Sequence, residues 1–559
     1  MSYVKEYLRE IQKGNIAASV KIRSVYEREV EWMENPPEDK DFKYHFDEHL
    51  ADKHIKFIET FCKQSKGLNG GQPLELQLFQ KAKIQLLFGW VDDDGFRRFR
   101  ECVDIRARKN GKSTEAAGLA HDLLLNDGEN GPEVYVVANS RDQAKLVFNE
   151  CTSMRAKSPA LRTIEKKRQS DIYTPFNDGI IKPLAAKTNN LDGLNAHGVI
   201  QDEWHEQKNS ALYDVMVQSQ SAREQPLYLL ISTNGFLREA FFDAKYEYAS
   251  NVALWVEGYH DYRTLALIYE LDSREEWTDE SCWEKANPGL RTIKKMSTLR
   301  ANVEKAKVDK TFLPTVLTKD FNLFVNSSQG WLEFQEAVNK IVVPMEYLEH
   351  SYAIGGCDLS AVGDLTCASL LIRKPNDDNI YVLQKYFLPQ SKMDELNQDS
   401  NKNMEAPYNI WHQNGWITVC NGSRVNYSDV TEWFWEMVII HDIRPLWVCY
   451  DRALSGYWVP EMEEKGFDME AIPQGPYTWT YPMKELHAQF KEHKIIYQNN
   501  PVLRWCLLNT SVKTLNKGGI ESIQPEKVSY NKRIDGMVSL LNAYTGYVKH
   551  LDEFLPLLR

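Results

Sequence analysis

The sequence predicts an α/β protein with two successive domains. A buried strand, a tight basic loop and a helix follow one another directly in residues 102–120 (CVDIRARKNGKSTEAAGLA). Short apolar strands then alternate with helical segments up to residue 240, and a second alternation begins at Tyr352. Because neighbouring parallel strands need a crossover between them, the first alternation indicates a parallel sheet with crossovers, and the second indicates a separate α/β domain.

The composition excludes several classes of protein. The chain has 559 residues and a formal net charge of -12, with 43% hydrophobic and 26% charged residues, which is ordinary for soluble domains. The negative total argues against a protein that coats nucleic acid by bulk attraction, so any such contact needs a local basic surface. A charged N-terminus and the lack of an apolar run of about 18 residues argue against export and membrane spanning. The nine cysteines occur singly, which indicates a reducing compartment and no structural zinc.

Four segments are predicted along the chain. Residues 1–65 form an N-terminal helical appendage, which ends at a glycine-rich stretch, GLNGG. Residues 66–240 form the first α/β core. Residues 241–345 form a connection, which is helical and highly charged from about residue 240 to 320. Residues 346–559 form the second α/β domain.

The predicted strands are short apolar runs that end in polar residues. In the first core they lie at 102–105, 134–138, 198–203 and 227–231, after an apolar helix at 76–90. In the second domain they lie at 352–358, 366–372, 380–388 and 445–451, and helices follow Ser428, Met483, Pro501 and Arg533. Since α/β folds place their ligands at the carboxyl ends of the strands, the polar residues at these ends are the candidate functional residues.

The loop after the first strand carries the pattern of a phosphate site. In such a loop, backbone amides at the helix start hold phosphates, a lysine reaches the terminal phosphates and a hydroxyl coordinates Mg²⁺. Lys112 and Ser113 stand at those positions, but the glycine expected five residues before Gly111 is Arg106. A simple capping turn with Asn110 or Ser113 as N-cap explains the same residues equally well. The predicted nucleotide contacts are Arg108, Asn110, Gly111, Lys112, Ser113 and Thr114.

An acidic pair at a later strand end complements this loop. Asp202 at the end of the strand 198–203 can hold Mg²⁺, and Glu203 can orient and deprotonate an attacking water. The alternative is that the pair caps the next helix. Together with the upstream lysine and serine, the pair favours ATP hydrolysis.

Two further polar features are assigned around this site. Ser232, Thr233 and Asn234 follow the strand 227–231 and form a candidate sensor that couples the nucleotide to the rest of the protein. Gln80 can both donate to and accept from an adenine edge, although a solvated helix glutamine is the more frequent explanation.

Three separated aspartates form the second candidate site. Asp358 and Asp451 each end a predicted strand, and Asp535 lies in the first turn of the last predicted helix. Such carboxylates can converge on two Mg²⁺ or Mn²⁺ ions about 4 Å apart, which is the arrangement for phosphodiester cleavage. Asp364 is a candidate auxiliary ligand. Taken singly, each of these aspartates is more often a turn or cap residue.

With both constellations in place, the chain resembles the large terminase subunit of tailed bacteriophages. The matching stretches occur in family order across roughly residues 75–550. They are LQLFQKAKIQLLFGW, RARKNGKST, SRDQA, NLDGLNAHGVIQDEWHE, LLISTNG, FNLFVNSSQGWL, GGCDLSAVGDLT, WVCYDRA and KRIDGMVSLLNAY. Replacement of the first loop glycine is common in this family.

The resemblance implies an architecture and a function. It implies a P-loop ATPase domain of the additional-strand class, a lid and linker in residues 241–345, and a ribonuclease H-like nuclease domain. It implies a viral motor that hydrolyses ATP to move duplex DNA into a procapsid and that cleaves concatemeric DNA. The implied cofactors are ATP with Mg²⁺ and, at the nuclease site, two Mg²⁺ or Mn²⁺ ions. The implied partners are double-stranded DNA, a small terminase subunit and the portal protein, with a homo-oligomeric ring in the host cytoplasm.

The resemblance also implies residue roles. Lys112, Ser113 and Asp202 hold the phosphates and Mg²⁺, and Glu203 is the catalytic base. Asp358, Asp451 and Asp535 are the nuclease metal ligands. An arginine finger is implied, for which Arg141, Arg162, Arg168 and Arg223 all compete. The alternative reading of the same modules is an ATP-regulated nuclease of DNA repair or recombination.

Overall fold

The computed structural model describes residues 2–67, 69–185, 193–207, 209–235, 241–309, 311–324, 330–360, 365–398, 408–452, 455–517, 520–528 and 532–558. The chain forms two compact units, Met1–Phe324 and Val325–Arg559. In the described ranges, no helix combines the length and the apolar character needed to cross a membrane.

The first unit contains eleven named helices and ten strands among its described residues. The helices are α1 (Tyr3–Gln12), α2 (Val20–Glu34), α3 (Glu48–Phe61), α4 (Leu78–Gly89), α5 (Lys112–Leu125), α6 (Arg141–Lys157), α7 (Pro159–Ile164), α8 (Ala211–Gln218), α9 (Phe241–Ala253), α10 (Met296–Val308) and α11 (Leu313–Phe321). The strands are β1 (His45–Phe46), β2 (Trp90–Val91), β3 (Glu101–Ile105), β4 (Glu133–Ala138), β5 (Lys166–Lys167), β6 (Ile172–Tyr173), β7 (Ile180–Ala185), β8 (Ala196–Asp202), β9 (Leu227–Ser232) and β10 (Thr264–Ile268).

An eight-stranded sheet forms the centre of this unit, in the order β10-β3-β9-β8-β4-β7-β6-β5. The strands from β10 to β7 run parallel, and β6 and β5 add an antiparallel edge. Strands β3, β8 and β9 are buried along their whole length, which fits an all-parallel sheet covered on both faces. The carboxyl ends of these three central strands therefore meet at one edge of the sheet.

The structure carries the first sheet beyond the predicted boundary at residue 240. Residues 240–320 were expected to be helical, but Thr264–Ile268 forms the strand β10, which pairs with β3 from Thr264↔Glu101 to Ile268↔Ile105. This short run, TLALI, is fully buried. Four apolar residues after one threonine are too few to show a helical or a strand period, so the pattern alone could not identify it.

The N-terminal helices also belong to the packed core of the first unit. Val4 in α1 is buried, and its backbone amide donates to Gln85 Oε1 of α4 at 3.2 Å. Glu29 in α2 forms a buried ion pair with Arg98, in which Arg98 Nη1 donates to Glu29 Oε2 at 2.8 Å. The helices predicted for residues 1–65 are thus held to the core by buried apolar and charged contacts.

The second unit has a mixed sheet. Its helices are α12 (Phe334–Ala337), α13 (Met345–Leu348), α14 (Gln390–Gln398), α15 (Tyr408–Gln413), α16 (Tyr427–Ile439), α17 (Trp458–Glu464), α18 (Pro476–Lys491), α19 (Pro501–Leu508), α20 (Asp535–Lys549) and α21 (Leu551–Phe554). Its strands are β11 (Ser351–Asp358), β12 (Thr366–Arg373), β13 (Ile380–Pro389), β14 (Ile417–Cys420), β15 (Ile443–Tyr450), β16 (Met469–Ala471), β17 (Ile495–Ile496), β18 (Thr510–Lys517) and β19 (Ile520–Lys527).

The order of the main sheet is β14-β13-β12-β11-β15-β16. Strands β11, β12 and β13 are antiparallel neighbours, whereas β15 runs parallel to β11. Strands β18 and β19 form a separate antiparallel hairpin. The prediction of two successive α/β domains is confirmed, and the second sheet combines parallel and antiparallel strand pairs.

Helix α20 packs very closely on β11. A Cβ atom on Gly356 would overlap Ser539 O, so only glycine allows this approach. Ser539 Oγ donates to Gly356 O at 3.1 Å, and Asn542 Nδ2 donates to Cys357 O at 3.0 Å. These contacts fix the start of α20 near the end of β11.

Candidate active sites

The loop between β3 and α5 has the geometry of a phosphate-binding loop. Gly111 is the N-cap residue of α5, with φ 79°, so the capping turn built on Asn110 or Ser113 is not what the chain forms. The first amides of a helix lack intrahelical partners and attract anions. Ser113 is exposed at this helix start, where a hydroxyl can reach a metal ion. Thr114 Oγ1 instead donates to Glu150 Oε1 at 3.0 Å.

Lys112 lies inside the loop and is largely buried. Its Nζ donates to the carbonyl oxygens of Arg106 at 2.6 Å and Ala107 at 3.2 Å. Burial lowers the pKa of Lys112 to about 8, although the nearby charges of Glu203 and Asp202 act in the opposite direction. A bound polyphosphate would stabilise the charged form of this lysine, so the position fits a nucleotide.

Arg106, which replaces the expected glycine, belongs to a buried network of four charges. Its Nη2 and Nε contact Asp104 at 2.7 and 2.8 Å, and its Nη1 lies 2.8 Å from Glu115 Oε2. Lys83 Nζ contacts Asp104 Oδ2 at 2.7 Å and also pairs with Glu115. The network joins α4, β3 and α5 beneath the loop, so Arg106 stabilises the loop from below.

Replacing Lys83 with methionine is expected to destabilise the first unit by about 3–5 kcal/mol, because Asp104 and Glu115 are then two buried carboxylates that share the single charge of Arg106. Lys81→Met is the matched control: it lies on the same helix, and its pair with Glu59 at 3.0 Å is partly exposed. A partly exposed pair contributes about 1 kcal/mol or less. The shift in the urea unfolding midpoint measures both effects, and equal shifts would contradict the importance of the network.

Two predicted nucleotide contacts have other partners in the structure. Asn110 Nδ2 donates to Asn287 Oδ1 at 3.0 Å, and Asn110 Oδ1 accepts from the Gly289 amide at 3.0 Å. Gln80 accepts from the Gln77 amide at 2.9 Å and donates to Glu115 Oε2 at 3.0 Å. Asn110 thus secures the loop to the segment that follows β10, whereas Arg108 remains exposed at the loop surface.

Asp202 and Glu203 lie at the end of β8, beside the phosphate loop. Burial and the adjacent Glu203 charge raise the pKa of Asp202 to about 7. Burial acts the same way on Glu203, but His205, Lys112 and Lys319 outweigh it and lower its pKa to about 2. A buried carboxyl group beside a partly exposed one gains from a divalent cation, so this donor set fits Mg²⁺. Glu203 starts a 3₁₀ turn with φ 49°.

The predicted coupling segment follows β9, next to β8. Ser232 and Thr233 are buried. Asn234 donates two hydrogen bonds to Asn322, the residue that follows α11: its backbone amide donates to Asn322 Oδ1 at 3.0 Å, and its Nδ2 donates to Asn322 O at 2.8 Å. The segment therefore connects the end of β9 with the end of α11.

The sequence analysis missed two residues of this site, His205 and Lys319. His205 Nδ1 lies 2.9 Å from Glu203 Oε2, and Lys319 Nζ lies 2.9 Å from His205 Nε2. The available signals were a histidine two residues after the acidic pair and a lysine within the apolar helix α11. Neither is specific, because surface histidines and lysines occur at such positions in most helices.

The four candidate arginines are not equivalent. Arg223 contacts Glu129 Oε1 at 2.8 Å and Gly131 O at 2.9 Å, and Arg168 Nε contacts Asp171 Oδ1 at 2.6 Å. Arg162 is exposed. The side chain of Arg141 lies outside the described residues.

In the second unit, two of the predicted aspartates are neighbours across a strand pair. Strand β11 pairs with β15 in parallel register up to Cys357↔Tyr450. Asp358 and Asp451 are the next residue on each strand, so they lie side by side at the carboxyl end of the sheet. Both are partly exposed.

Asp535, the first residue of α20, lies at the same level of the sheet. Gln384 Nε2 donates to Gly536 O at 2.8 Å, and a Cβ on Gly536 would overlap the Tyr386 hydroxyl. Tyr386 pairs with Cys367, which in turn pairs with Asp358. Burial raises the pKa of the nearby Cys506 thiol, and the charges of Asp535 and Asp358 add to that effect.

The three aspartates thus share one end of the sheet, and oxygen donors are the ligands that Mg²⁺ and Mn²⁺ prefer. In the part of the chain that the structure describes, no three His, Cys, Asp or Glu side chains are grouped closely enough to hold a metal ion. Asp364, the predicted auxiliary ligand, lies outside the described residues. The backbone placement and the donor chemistry fit divalent metal ions.

Comparison with known proteins identifies the family. Residues 78–251 match the model of the terminase large subunit ATPase domain, and residues 259–550 match the model of the terminase large subunit endonuclease domain. The second match alone covers more than half of the chain. The chain belongs to the terminase large subunit family. The match to the nuclease model starts at residue 259, so β10, α10 and α11 align with that model although they fold with the first unit.

Curated relatives agree with this assignment. This terminase is 27% identical over 499 residues to the large terminase subunit of Enterobacteria phage HK97, which covers 87% of this chain and 93% of that protein. It is 23% identical over 495 residues to the large subunit of Lactococcus phage p2, covering 84% and 87%. The crystal structure of the HK97 large terminase covers 89% of this chain and 99% of that chain, with 23% identity and a TM-score of 0.46.

Family membership decides between the two functions that the sequence left open. The terminase large subunit is an ATP-hydrolysing DNA-packaging motor with a DNA-cleaving domain. Its ATPase and endonuclease domains use a nucleotide and divalent metal ions. The reading as a repair or recombination nuclease is set aside.

Proposed function

We propose that this terminase hydrolyses ATP at the edge formed by β3, β8 and β9, and cleaves DNA at the edge formed by β11 and β15. The observation that carries the proposal is that Lys112, at the start of α5 after β3, and the pair Asp202–Glu203, at the end of β8, lie at one edge of the same sheet. Asp358 and Asp451 stand at neighbouring strand ends of another sheet.

At the ATPase edge, Lys112 and the first amides of α5 bind the phosphates, and Ser113 and Asp202 hold the metal ion. A Mg²⁺ ion held by these residues would supply positive charge to offset the charge that develops on the phosphates. Glu203 accepts the proton of the attacking water, for which its low pKa keeps it ionised at neutral pH. Ser232, Thr233 and Asn234 pass the state of the nucleotide to α11.

At the nuclease edge, Asp358, Asp451 and Asp535 hold two divalent ions, with Asp364 as an auxiliary ligand. Such a metal pair activates water and stabilises the leaving oxygen of a phosphodiester. The three aspartates act in this proposal as metal ligands through their carboxylate oxygens, and none of them serves as an acid or a base.

The packaging partners follow from the same proposal. The protein acts in the host cytoplasm as a homo-oligomeric ring on the portal protein of a procapsid, and a small terminase subunit presents the duplex DNA. ATP-dependent uptake of DNA into purified empty procapsids tests this directly. Uptake that proceeds without the portal or without ATP would contradict it.

Metal removal tests whether ATP turnover and DNA cleavage both depend on divalent metal ions. Excess EDTA is expected to abolish both ATP turnover and plasmid cleavage, and Mg²⁺ or Mn²⁺ to restore both. If two ions act together, the cleavage rate should rise more steeply than linearly with Mn²⁺ at low concentration, whereas ATP turnover should follow single-ion binding. A linear dependence of cleavage on Mn²⁺ throughout the titration would contradict a two-ion site.

A further inference from the structure

Lys319 is a buried lysine that contacts the ATPase edge from α11. It is only 7% exposed. Its Nζ donates to Asn234 O at 2.8 Å, lies 2.9 Å from His205 Nε2 and is 3.5 Å from Thr233 Oγ1. Burying an ammonium group is costly unless it is hydrogen-bonded, and these polar partners compensate that cost.

The lysine determines which nitrogen of His205 carries the proton. An ammonium group can only donate, so His205 Nε2 must accept and the proton lies on Nδ1. Ser232 leads to the same assignment independently. Its hydroxyl donates to Thr233 O at 2.9 Å, so Ser232 Oγ accepts from His205 Nδ1 at 2.8 Å. Burial lowers the pKa of His205, and the charge of Lys319 lowers it further, which keeps the ring neutral.

This tautomer places the single Nδ1–H of His205 beside both Ser232 Oγ and the catalytic base. Nδ1 lies 2.8 Å from Ser232 Oγ, which accepts the hydrogen bond, and 2.9 Å from Glu203 Oε2, with which it makes a close electrostatic contact. A contact at that distance restrains the rotation of the carboxylate, and the orientation of a base relative to its water strongly affects the rate.

The backbone of the same residue contacts the phosphate loop. The amide of Arg108 donates to Lys319 O at 2.9 Å. Asn322, which follows α11 with φ 55°, holds Asn234 through the two hydrogen bonds described above. One turn of helix therefore contacts the phosphate loop, the coupling segment and the partner of the base.

We propose that Lys319 is a positioning residue for ATP hydrolysis, which orients Glu203 through His205 and joins that orientation to Asn234 of the coupling segment. The inference rests on the proposed role of Glu203 as the base. Lys319 does not touch the nucleotide in this proposal; it acts through its neighbours.

The first test is a kinetic comparison in the full-length protein. Lys319→Met is expected to lower kcat for ATP hydrolysis by about 10- to 100-fold, since a small misplacement of a catalytic group costs that much. The affinity for a fluorescent ATP analogue should stay within about twofold, because Lys112 and Ser113 are untouched. Lys319→Arg should recover part of kcat. A general loss of packing would lower affinity and kcat together.

Lys21→Met is the matched control for loss of a largely buried lysine. Lys21 contacts Tyr246 Oη at 2.8 Å and Glu270 Oε1 at 2.5 Å, away from this set of residues. It should leave kcat unchanged. If Lys319→Met keeps kcat within about twofold of wild type while Glu203→Gln abolishes turnover, the positioning role is wrong and the base assignment stands. If Glu203→Gln retains turnover, the base assignment is wrong.

A second pair of variants tests the tautomer without removing the lysine. An asparagine amide can place a donor near the former Nδ1, whereas a glutamine amide extends toward the former Nε2. His205→Asn is therefore expected to retain more kcat than His205→Gln. In the His205→Asn background, Lys319→Met should cost less than in wild type, because residues that act through one another are not additive. Equal kcat for both histidine variants, or additive losses, would overturn the proposal.

Discussion

Glu203→Gln is expected to lower kcat for ATP hydrolysis by about 10²- to 10⁴-fold, which is the usual contribution of a general base. The substitution keeps the size of the side chain but removes the group that accepts the proton. Because Lys112, Ser113 and Asp202 remain, binding of a fluorescent ATP analogue should persist. Phosphate release under steady-state conditions measures kcat.

The neighbouring acid provides the control for this result. Glu206→Gln makes the same chemical change three residues along the chain, at an exposed position. It should leave kcat unchanged. Plasmid cleavage should be normal in both variants. Loss of cleavage in Glu203→Gln, with the protein still folded, would show that the two sites are not independent.

Asp358→Asn is expected to lower plasmid cleavage by at least about 100-fold while ATP turnover stays normal. Loss of a group that merely supports a metal ligand already costs about 10- to 100-fold, so loss of a ligand should cost no less. Asp451→Asn should give the same result, because the two residues stand at the ends of the neighbouring strands β11 and β15. Agarose-gel analysis of supercoiled plasmid measures the effect.

Asp442→Asn is the matched control in the second unit. Asp442 precedes β15 at the opposite end from Asp451, where its Oδ2 lies 2.9 Å from His350 Nδ1. Its substitution should not change cleavage. A similar loss in Asp442→Asn and Asp358→Asn would indicate a general effect on folding of the unit.

Much of the central architecture could be predicted from local sequence. Strands such as β3, β4 and β9 are short, buried along most of their length and followed by polar residues, and each was placed to within a residue or two. Their apolar runs are distinctive because strands of a parallel sheet are covered on both faces. Parallel crossovers then fix which strand ends lie at one edge.

Other elements depend on long-range contacts that the sequence does not display. Strand β10 pairs with β3, which lies far from it in sequence. Its four apolar residues would look the same in a buried helix. The strands β18 and β19 contain many polar residues, such as Lys513 and Gln524, and therefore lack an apolar pattern. They are strands because they pair with each other. Such pairings become visible only in three dimensions.

The candidate sites show the same division. Lys112 and Glu203 could be predicted because each stands at a strand end in a recognisable pattern. Lys319 could not be predicted, because it lies 114 positions from His205 in the sequence and contacts it only in the folded structure. The role of Arg106 was equally hidden, because the buried partners of a loop arginine follow from the packing of α4 and α5.

The most direct test of two separate sites is anomalous X-ray diffraction from crystals of the full-length protein grown with an ATP analogue and Mn²⁺. We expect one manganese peak beside Ser113 and Asp202, and two peaks between Asp358, Asp451 and Asp535. Manganese at the first position, with none among the three aspartates, would contradict the account.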